Sequence, residues 1–369
     1  MVGGAMALDL AKEERFDVTV VDHDPAALAK VAAAGKLRVL HRDLSDPAMV
    51  RELAAEAEMV VNAVPGFMGY QTFKAVIEAG RDLADISFFI EDPFTADEIA
   101  RKNKVTALMD IGVAPGMCNV LIGYAHKMLD TTSSVEYYVG GLPEVREWPY
   151  DYKAVFSPAD VIEEYTRPAR FIENGQEIVK PALSDIELMN FPGVGTLEAF
   201  NTDGLRSLVK TINAPNMKEK TLRYPGHAEK MRLLRETGLF GTGEIQVKGV
   251  TIRPLDVTSA LLFPIWKFTE KDADITVMKV VVEGLKNGKR TRYTWDLFDR
   301  KDEKTGIHSM ARTTGYTATV ALRMIADGVY DKRGVSVPEY VGSRPECVEF
   351  LLKGLAERGV IYKEKVEEF

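Results

Sequence analysis

MVGGAMALDLAKEERFDVTVVDHDP, residues 1–25, decides how the rest of the chain is read. Gly3 and Gly4 open a run rich in alanine and leucine; residues 17–21 (DVTVV) then carry a β-branched pattern that stops on Asp22. A helix led by glycines, then a strand ending on an acid, is the back half of a dinucleotide-binding βαβ unit. There, free backbone N–H groups at the helix start hold a pyrophosphate, and the acid takes the ribose hydroxyls. Gly3 fits the last glycine of a Gly-x-Gly-x-x-Gly turn, and Asp22 follows it by nineteen positions. Alone, a Gly-Gly is a flexible end and an Asp after a strand is a turn residue; their order gives them meaning. An acid here repels a 2′-phosphate, so Asp22 predicts NAD, with NADP the less favoured cofactor. The strand and two glycines that should precede Gly3 are not in the sequence. We expect a misplaced start or a gene fragment, with roughly ten further residues upstream, the ordinary length of a strand and turn.

Working outward, apolar runs at residues 36–41, 59–63, 81–86 and 105–109 read as strands. Residues 25–34, 46–57, 69–79 and 95–103 read as helices, several opening on Asp, Thr or Pro. Strands alternating with crossover helices predict an α/β fold, a doubly wound Rossmann-type domain over residues 1–120. Beyond about Asp130 the pattern becomes one of longer strands and hairpins: residues 275–283 (ITVMKVVVE), the turn 286–289 (KNGK) and residues 290–297 (RTRYTWDL). With helices at 225–237 and 314–327, residues 121–339 predict an α+β mixed-sheet domain for substrate and dimerisation. A helix at 345–358 and a strand at 360–363 are expected to return, within 340–369, to the first domain.

Position in this fold singles out several residues. Asp43 and Leu44 follow the third strand of the expected domain and would border the adenine; Asn62, Ala63, Val64 and Pro65 follow the fourth and would line the nicotinamide side. Asp110 ends a strand at the carboxyl edge of the sheet, where open α/β folds bind ligands, just before the glycine- and proline-bearing turn 112–116. Asn62 and Asp110 are also residue types that cap turns.

Composition narrows the field of functions. A net charge of -8 offers no broad positive field for phosphate backbones or anionic lipid, so neither nucleic acid nor membrane is an expected partner. Two cysteines, Cys118 and Cys347, stand far apart, which predicts a reducing, cytoplasmic setting. There is no run of eighteen apolar residues and no secretory signal at the start. No His, Cys and carboxylate set has metal-ligand spacing, so no metal is expected. A nucleophile elbow and a Walker loop are likewise missing from the sequence.

Several segments in order resemble the saccharopine dehydrogenase and lysine 6-dehydrogenase family across nearly the whole chain. They are residues 60–65 (VVNAVP), 84–93 (ADISFFIEDP), 110–119 (DIGVAPGMCN), 140–143 (GGLP), 165–174 (YTRPARFIEN), 221–229 (TLRYPGHAE) and 309–316 (SMARTTGY). TRPAR, the EAF segment followed by Asp203 to Ser207 (DGLRS), and the histidine of PGH look closer to the lysine 6-dehydrogenase branch. Phe88 follows Ser87 where saccharopine-type enzymes carry a tyrosine.

The resemblance implies an NAD-dependent oxidoreductase acting on the CH–NH bond of a small amino-acid substrate, with lysine oxidised at its ε-carbon as the leading reaction, and a homodimer formed through the second domain. Saccharopine turnover and a noncatalytic NAD- or amino-acid-binding relative are the alternatives. An ammonium with an ordinary pKa of about 10.4 must lose a proton before its C–H bond is oxidised. Asp110 and His227 are the candidate catalytic residues. His227 follows Pro225-Gly226 at a helix start, whose dipole favours the neutral imidazole. Arg223 and Arg206 suit a substrate carboxylate, and the resemblance adds Ser87, Phe88, Thr221 and Leu222 as substrate contacts.

Overall fold

The computed structural model describes residues 2–154, 158–269 and 271–369. Met1, the first residue of the opening stretch, lies outside them. The chain divides into two compact units, Met1–Lys127 with Ala311–Ile361, and Met128–Met310 with Tyr362–Phe369.

In the first unit, α1 (Val2–Leu10), β1 (Thr19–Asp22), α2 (Pro25–Ala34), β2 (Arg38–His41), α3 (Pro47–Ala55) and β3 (Met59–Asn62) alternate. The alternation continues with α4 (Gly66–Glu78), β4 (Asp82–Asp85), α5 (Asp97–Lys102), β5 (Thr106–Leu108) and α6 (Met117–Met128). Asp24 and Asp46 accept backbone N–H groups at the starts of α2 and α3, and Pro25 and Pro47 supply first residues that need no hydrogen-bond acceptor.

The second unit runs through β6 (Thr131–Pro143), α7 (Pro158–Thr166), β7 (Ala169–Glu173), β8 (Gln176–Lys180), β9 (Glu187–Phe191), β10 (Gly195–Asn201) and α8 (Leu208–Thr211). It goes on with β11 (Met217–Arg223), α9 (His227–Glu236), β12 (Ile245–Val247), β13 (Val250–Ile252), α10 (Pro254–Trp266), β14 (Asp274–Lys286) and β15 (Lys289–Arg300). The chain then returns to the first unit with α11 (Ser309–Ala326), β16 (Gly334–Ser336), α12 (Pro338–Gly342) and α13 (Pro345–Glu357), and finishes in the second with β17 (Tyr362–Glu368).

The first unit is a parallel α/β layer whose strands fall into two hydrogen-bonded sets, β1 with β2, and β3, β4, β5 and β16 in that spatial order. Leu83, Ala84, Ala107 and Leu108 on the inner strands are fully buried. The second unit holds a mixed sheet in the order β17-β15-β14-β6-β11-β10-β9, with the β7–β8 hairpin attached at β11. The long β14–β15 hairpin turns through Asn287 and Gly288, both at positive φ, as a two-residue hairpin loop requires.

Two segments fall on the other side of the expected domain boundary. The helix read at 314–327 belongs to the first unit because Asp9 of α1 is fully buried and bound to it. Arg323 Nη1 lies 2.8 Å from the Asp9 carboxylate, Thr319 Oγ1 donates to it at 2.7 Å, and Arg358, just after α13, adds a third bond at 2.8 Å. Conversely, β17 pairs antiparallel with β15, Tyr362 opposite Leu297 through Glu368 opposite Thr291, so the closing strand completes the second sheet and does not return to the first unit with α13.

Candidate functional site

In the first unit, the ends of adjacent parallel strands bring together what the sequence separates. Asn62 closes β3 and Asp85 closes β4, opposite one another in register. Asp85 is wholly buried, and its carboxylate accepts from Ser87 N at 2.6 Å, Ser87 Oγ at 2.5 Å and Asn62 Nδ2 at 2.7 Å. Asn62 Oδ1 in turn accepts from Val64 N at 3.3 Å. Burial pushes the Asp85 carboxyl up to about 7; the Ser87 and Asn62 bonds pull it down, and the nearby Asp110 charge raises it.

Asp110 follows β5, buried, with φ +52°. The turn after it is a glycine device: at Gly116, φ +139°, an added Cβ would lie 1.9 Å from the Gly112 carbonyl oxygen. Ser87 is buried and Phe88 half-buried beside them in chain order. Gly66, at the start of α4, packs so close that an added Cβ would lie 2.5 Å from Phe88 O, which holds the loops after β3 and β4 together.

The start of α1 lies against the same edge, the ideal Cβ of Gly3 being 3.8 Å from Ala63. A helix N-terminus with two glycines in its first turn, beside the carboxyl end of a parallel strand, fits a dinucleotide pyrophosphate. Ala63 and Pro65 are exposed and Val64 is half-buried. At the ends of β1 and β2, Asp22 Oδ1 accepts from Asp24 N at 2.9 Å and lies 3.2 Å from His23 Nδ1. His41 Nε2 reaches His23 O at 2.9 Å, and Arg42 N donates to Asp22 O at 3.1 Å. Asp43 accepts from Ser45 N at 2.9 Å, which holds its carboxyl below the ordinary range. Leu44 packs partly on the apolar core of the unit. Sequence reasoning weighed Asp22 and passed over Arg42, which directly follows β2 at this corner.

In the second unit, strand alternation places Glu219, Thr221 and Arg223 of β11 on one face, with Glu198 of β10 directly opposite Arg223. Arg223, 3 % exposed, donates from Nη2 to Glu164 at 2.8 Å and lies over the Tyr152 ring at 4.6 Å. Its Nε has no hydrogen-bond partner among the described residues, so one buried donor is left for an acceptor such as a substrate carboxylate. Glu198 accepts from Gly226 N at 2.8 Å and from Ala228 N, capping α9 with a buried carboxylate. Glu219 accepts from Thr202 Oγ1 at 2.7 Å and Gly204 N at 3.1 Å, and Thr202 Oγ1 meets Thr221 Oγ1 at 2.8 Å. Burial pushes the Glu219 carboxyl up to about 8.

Two expectations are corrected by this geometry. Leu222 alternates to the opposite face, fully buried in an apolar cluster with Tyr138, Leu142 and Ala199; only its carbonyl serves the site, accepting from Arg223 Nη1 at 2.9 Å. His227, 1 % exposed, has both ring nitrogens engaged: Nδ1 with Tyr150 O at 3.0 Å and Nε2 with the Tyr165 hydroxyl at 2.9 Å. Burial, and then the Arg223 charge, hold it down to about 3. A neutral, fully bonded imidazole positions Tyr165 and is not placed to take a substrate proton. Arg206 sits half-buried in the loop before α8 at φ +53°, on a backbone that Glu219 and the Tyr137 hydroxyl hold through Gly204. Asp85, Glu164, Glu198, Glu219, Tyr152 and Tyr165 were not anticipated from the sequence.

Residues 1–108 match the family model of the saccharopine dehydrogenase NADP binding domain, and residues 112–360 that of the saccharopine dehydrogenase C-terminal domain. The chain is 24% identical to a saccharopine dehydrogenase [NADP(+), L-glutamate-forming] of Schizosaccharomyces pombe, over 88% of this chain and 87% of that one. It is 25% identical to a carboxyaminopropylagmatine dehydrogenase of Synechocystis, over 99% and 95%. Apo saccharopine dehydrogenase (L-Glu forming) from Saccharomyces cerevisiae superposes with a TM-score of 0.82 at 19% identity, covering 100% of this chain and 98% of that one, a likeness of fold.

These findings overturn the preference for NAD over NADP. The matching model is of an NADP binding domain, and the fission-yeast and budding-yeast relatives are named for NADP(+). In the corner just described, Asp22 Oδ1 is engaged by Asp24 N within its own loop, and Arg42, whose Nη1 donates to His41 O at 2.8 Å, supplies a cation at the neighbouring strand end, so the acid alone does not decide the choice.

Proposed function

Since the chain belongs to the saccharopine dehydrogenase family, we propose that it is an NADP(H)-linked oxidoreductase acting at a carbon–nitrogen bond of an amino-acid-derived substrate. The observation that carries the reading is the carboxyl edge of the first unit. There three adjacent parallel strands deliver Asn62, Ser87 and Asp110 within a few residues of their ends, and α1 begins against Ala63. Ligands of open parallel sheets bind at this edge.

When bound, the nicotinamide accepts or returns a hydride. The chain's residues do the rest. The N–H groups at the start of α1 face the pyrophosphate, and Arg42 offers its guanidinium to the 2′-phosphate. Residues 62–65 line the nicotinamide side. Asp110 takes the proton that the substrate nitrogen must lose before oxidation. Arg223, fixed by Glu164 and Tyr152, offers its Nε–H to a substrate carboxylate.

A conjugate joined through a secondary amine is the substrate class we favour, because the relatives spanning most of this chain are named for saccharopine and carboxyaminopropylagmatine. Lysine oxidised at its ε-carbon is the second reading, supported by Phe88 after Ser87 in place of the tyrosine of saccharopine-type enzymes. The test is reduction of NADP+ by the full chain with saccharopine and with lysine, followed by nicotinamide absorbance. Turnover of saccharopine over lysine supports the first reading, and the reverse supports the second. Asp110→Asn should retain NADP affinity and lose about two to four orders of magnitude in turnover, the usual contribution of a general acid or base. Cofactor binding without hydride transfer from any amino acid or diamine would reject an enzymatic role.

A further inference from the structure

Asp85 belongs to a strand and has no access to solvent. A carboxyl buried this way costs stability unless it has bonds to compensate it. Its three bonds reach in two directions. Oδ1 takes both the N–H and the hydroxyl of Ser87, at the start of the loop that follows β4. Oδ2 takes the amide of Asn62, whose own oxygen takes Val64 N–H in the loop that follows β3. Every partner of the carboxyl is a donor, and the Asn62 amide is oriented by having a donor's target on one side and a donor on the other.

We propose that Asp85 is a positioning residue that sets the 62–65 loop and the Ser87 loop in register with one another, so that the cofactor-side backbone and the substrate-side serine are placed by a single buried carboxylate. The inference rests on the reading that residues 62–65 line the cofactor. Its logic is directional. In Asp85→Asn the oxygen must stay with Ser87, where two donors converge, so the new NH2 faces the NH2 of Asn62. Asn62 can avoid this only by flipping, which turns its own NH2 against Val64 N–H. The first arrangement leaves the Asn62 amide only its longer bond, from Nδ2 to Ser87 Oγ at 3.3 Å, and the second gives up the acceptor of Val64 N–H, so each loosens the coupling of residue 85 to the 62–65 backbone. Exchanging both residues, Asn62→Asp with Asp85→Asn, restores it: the new amide donates to the new carboxylate, whose other oxygen accepts Val64 N–H.

The experiment compares the wild type, Asp85→Asn and the double exchange in the full chain, using NADPH affinity by fluorescence titration and hydrogen exchange at the Val64 amide. The single variant should bind NADPH about tenfold or more weakly, the scale of one lost bond to a charged group, and Val64 should exchange faster. The double exchange should recover both to within about threefold. A single variant indistinguishable from wild type, or a double variant as weak as the single, overturns the proposal. If Asp85→Asn does not fold, Asn62→Ala removes the same link without adding a donor; unchanged NADPH affinity and Val64 exchange in that variant would also overturn it. A wild type that does not bind NADPH refutes the cofactor reading, while Val64 exchange across the three proteins still decides whether Asp85 positions the loop.

Discussion

The Tyr165 hydroxyl donates to Nε2 of His227 across 2.9 Å, and the far side of the ring fixes the direction of that bond. Nδ1 lies 3.0 Å from the Tyr150 carbonyl, which can only accept, so Nδ1 carries the proton and Nε2 the lone pair. Burial keeps the Tyr165 proton in place by raising its pKa and holds His227 down to about 3. His227 should therefore stay neutral, with Nε2 unprotonated, down to about pH 4 in histidine-labelled NMR spectra. A ring that titrates near its ordinary 6.5 would contradict the buried arrangement. Because the folded value lies below the unfolded one, the unfolded chain binds the extra proton. Stability should thus fall as pH drops from about 6.5 towards 3.

Glu219 has the opposite sign. Its folded pKa, about 8, lies above the ordinary 4.5 because burial disfavours the charge, with Glu164 and Asp203 adding repulsion. The folded state therefore binds the extra proton, and its contribution to stability is present below about pH 4.5 and is lost as pH rises through about 8. Glu219→Gln should flatten the pH dependence of unfolding free energy between these limits. An unchanged slope would mean that Glu219 does not take up its proton in this range.

Arg42 carries the cofactor choice in the proposed function. Arg42→Ala should raise the Kd for NADP by about ten- to a hundredfold, the range for a lost bond to a charged group, and leave that for NAD nearly unchanged. Equal weakening of both cofactors would shift selection to His23 or His41.

Asp9 anchors α1 through Arg323, Arg358 and Thr319. Removing its carboxylate leaves two largely buried arginines with Glu13, at the more exposed side of the cluster, as their remaining acidic partner. Asp9→Ala should cost about 3–5 kcal/mol in denaturant unfolding. A loss below about 1 kcal/mol, the range of a surface pair, would mean that Glu13 and water suffice for the two arginines.

What could be read in the sequence follows the range over which each interaction acts. The Asp-Pro starts at Asp24 and Asp46 and the Asn287-Gly288 turn are local chemistry, and the elements they delimit lie close to where the pattern put them. Asn62 and Asp110 could be singled out because a strand end in a parallel sheet is where ligands bind, and Ser87 through the family resemblance. Asp85, two residues before Ser87, read as part of a strand, and only its burial turns it into an anchor. Glu198 and Arg223 meet through an antiparallel register, and Asp9 meets Arg323 across 314 positions, distances at which periodicity is silent. The cofactor preference failed for another reason: a rule about one acid was applied alone, and the matching domain and relatives are named for NADP.

The terminal strand bears on how this chain is made. Unit one needs α11 and α13, which are translated after all the strands of unit two except β17, and unit two needs β17, translated after α13. Neither can finish folding on the ribosome in the simple order of synthesis that serves consecutive domains. Until β17 is released, β15 presents an open strand edge beside the half-built sheet, the kind of surface that chaperones hold and that pairs wrongly with neighbours. Crowding of nascent chains should therefore penalise this protein more than one whose units follow one another, and cutting it between units would yield two incomplete pieces.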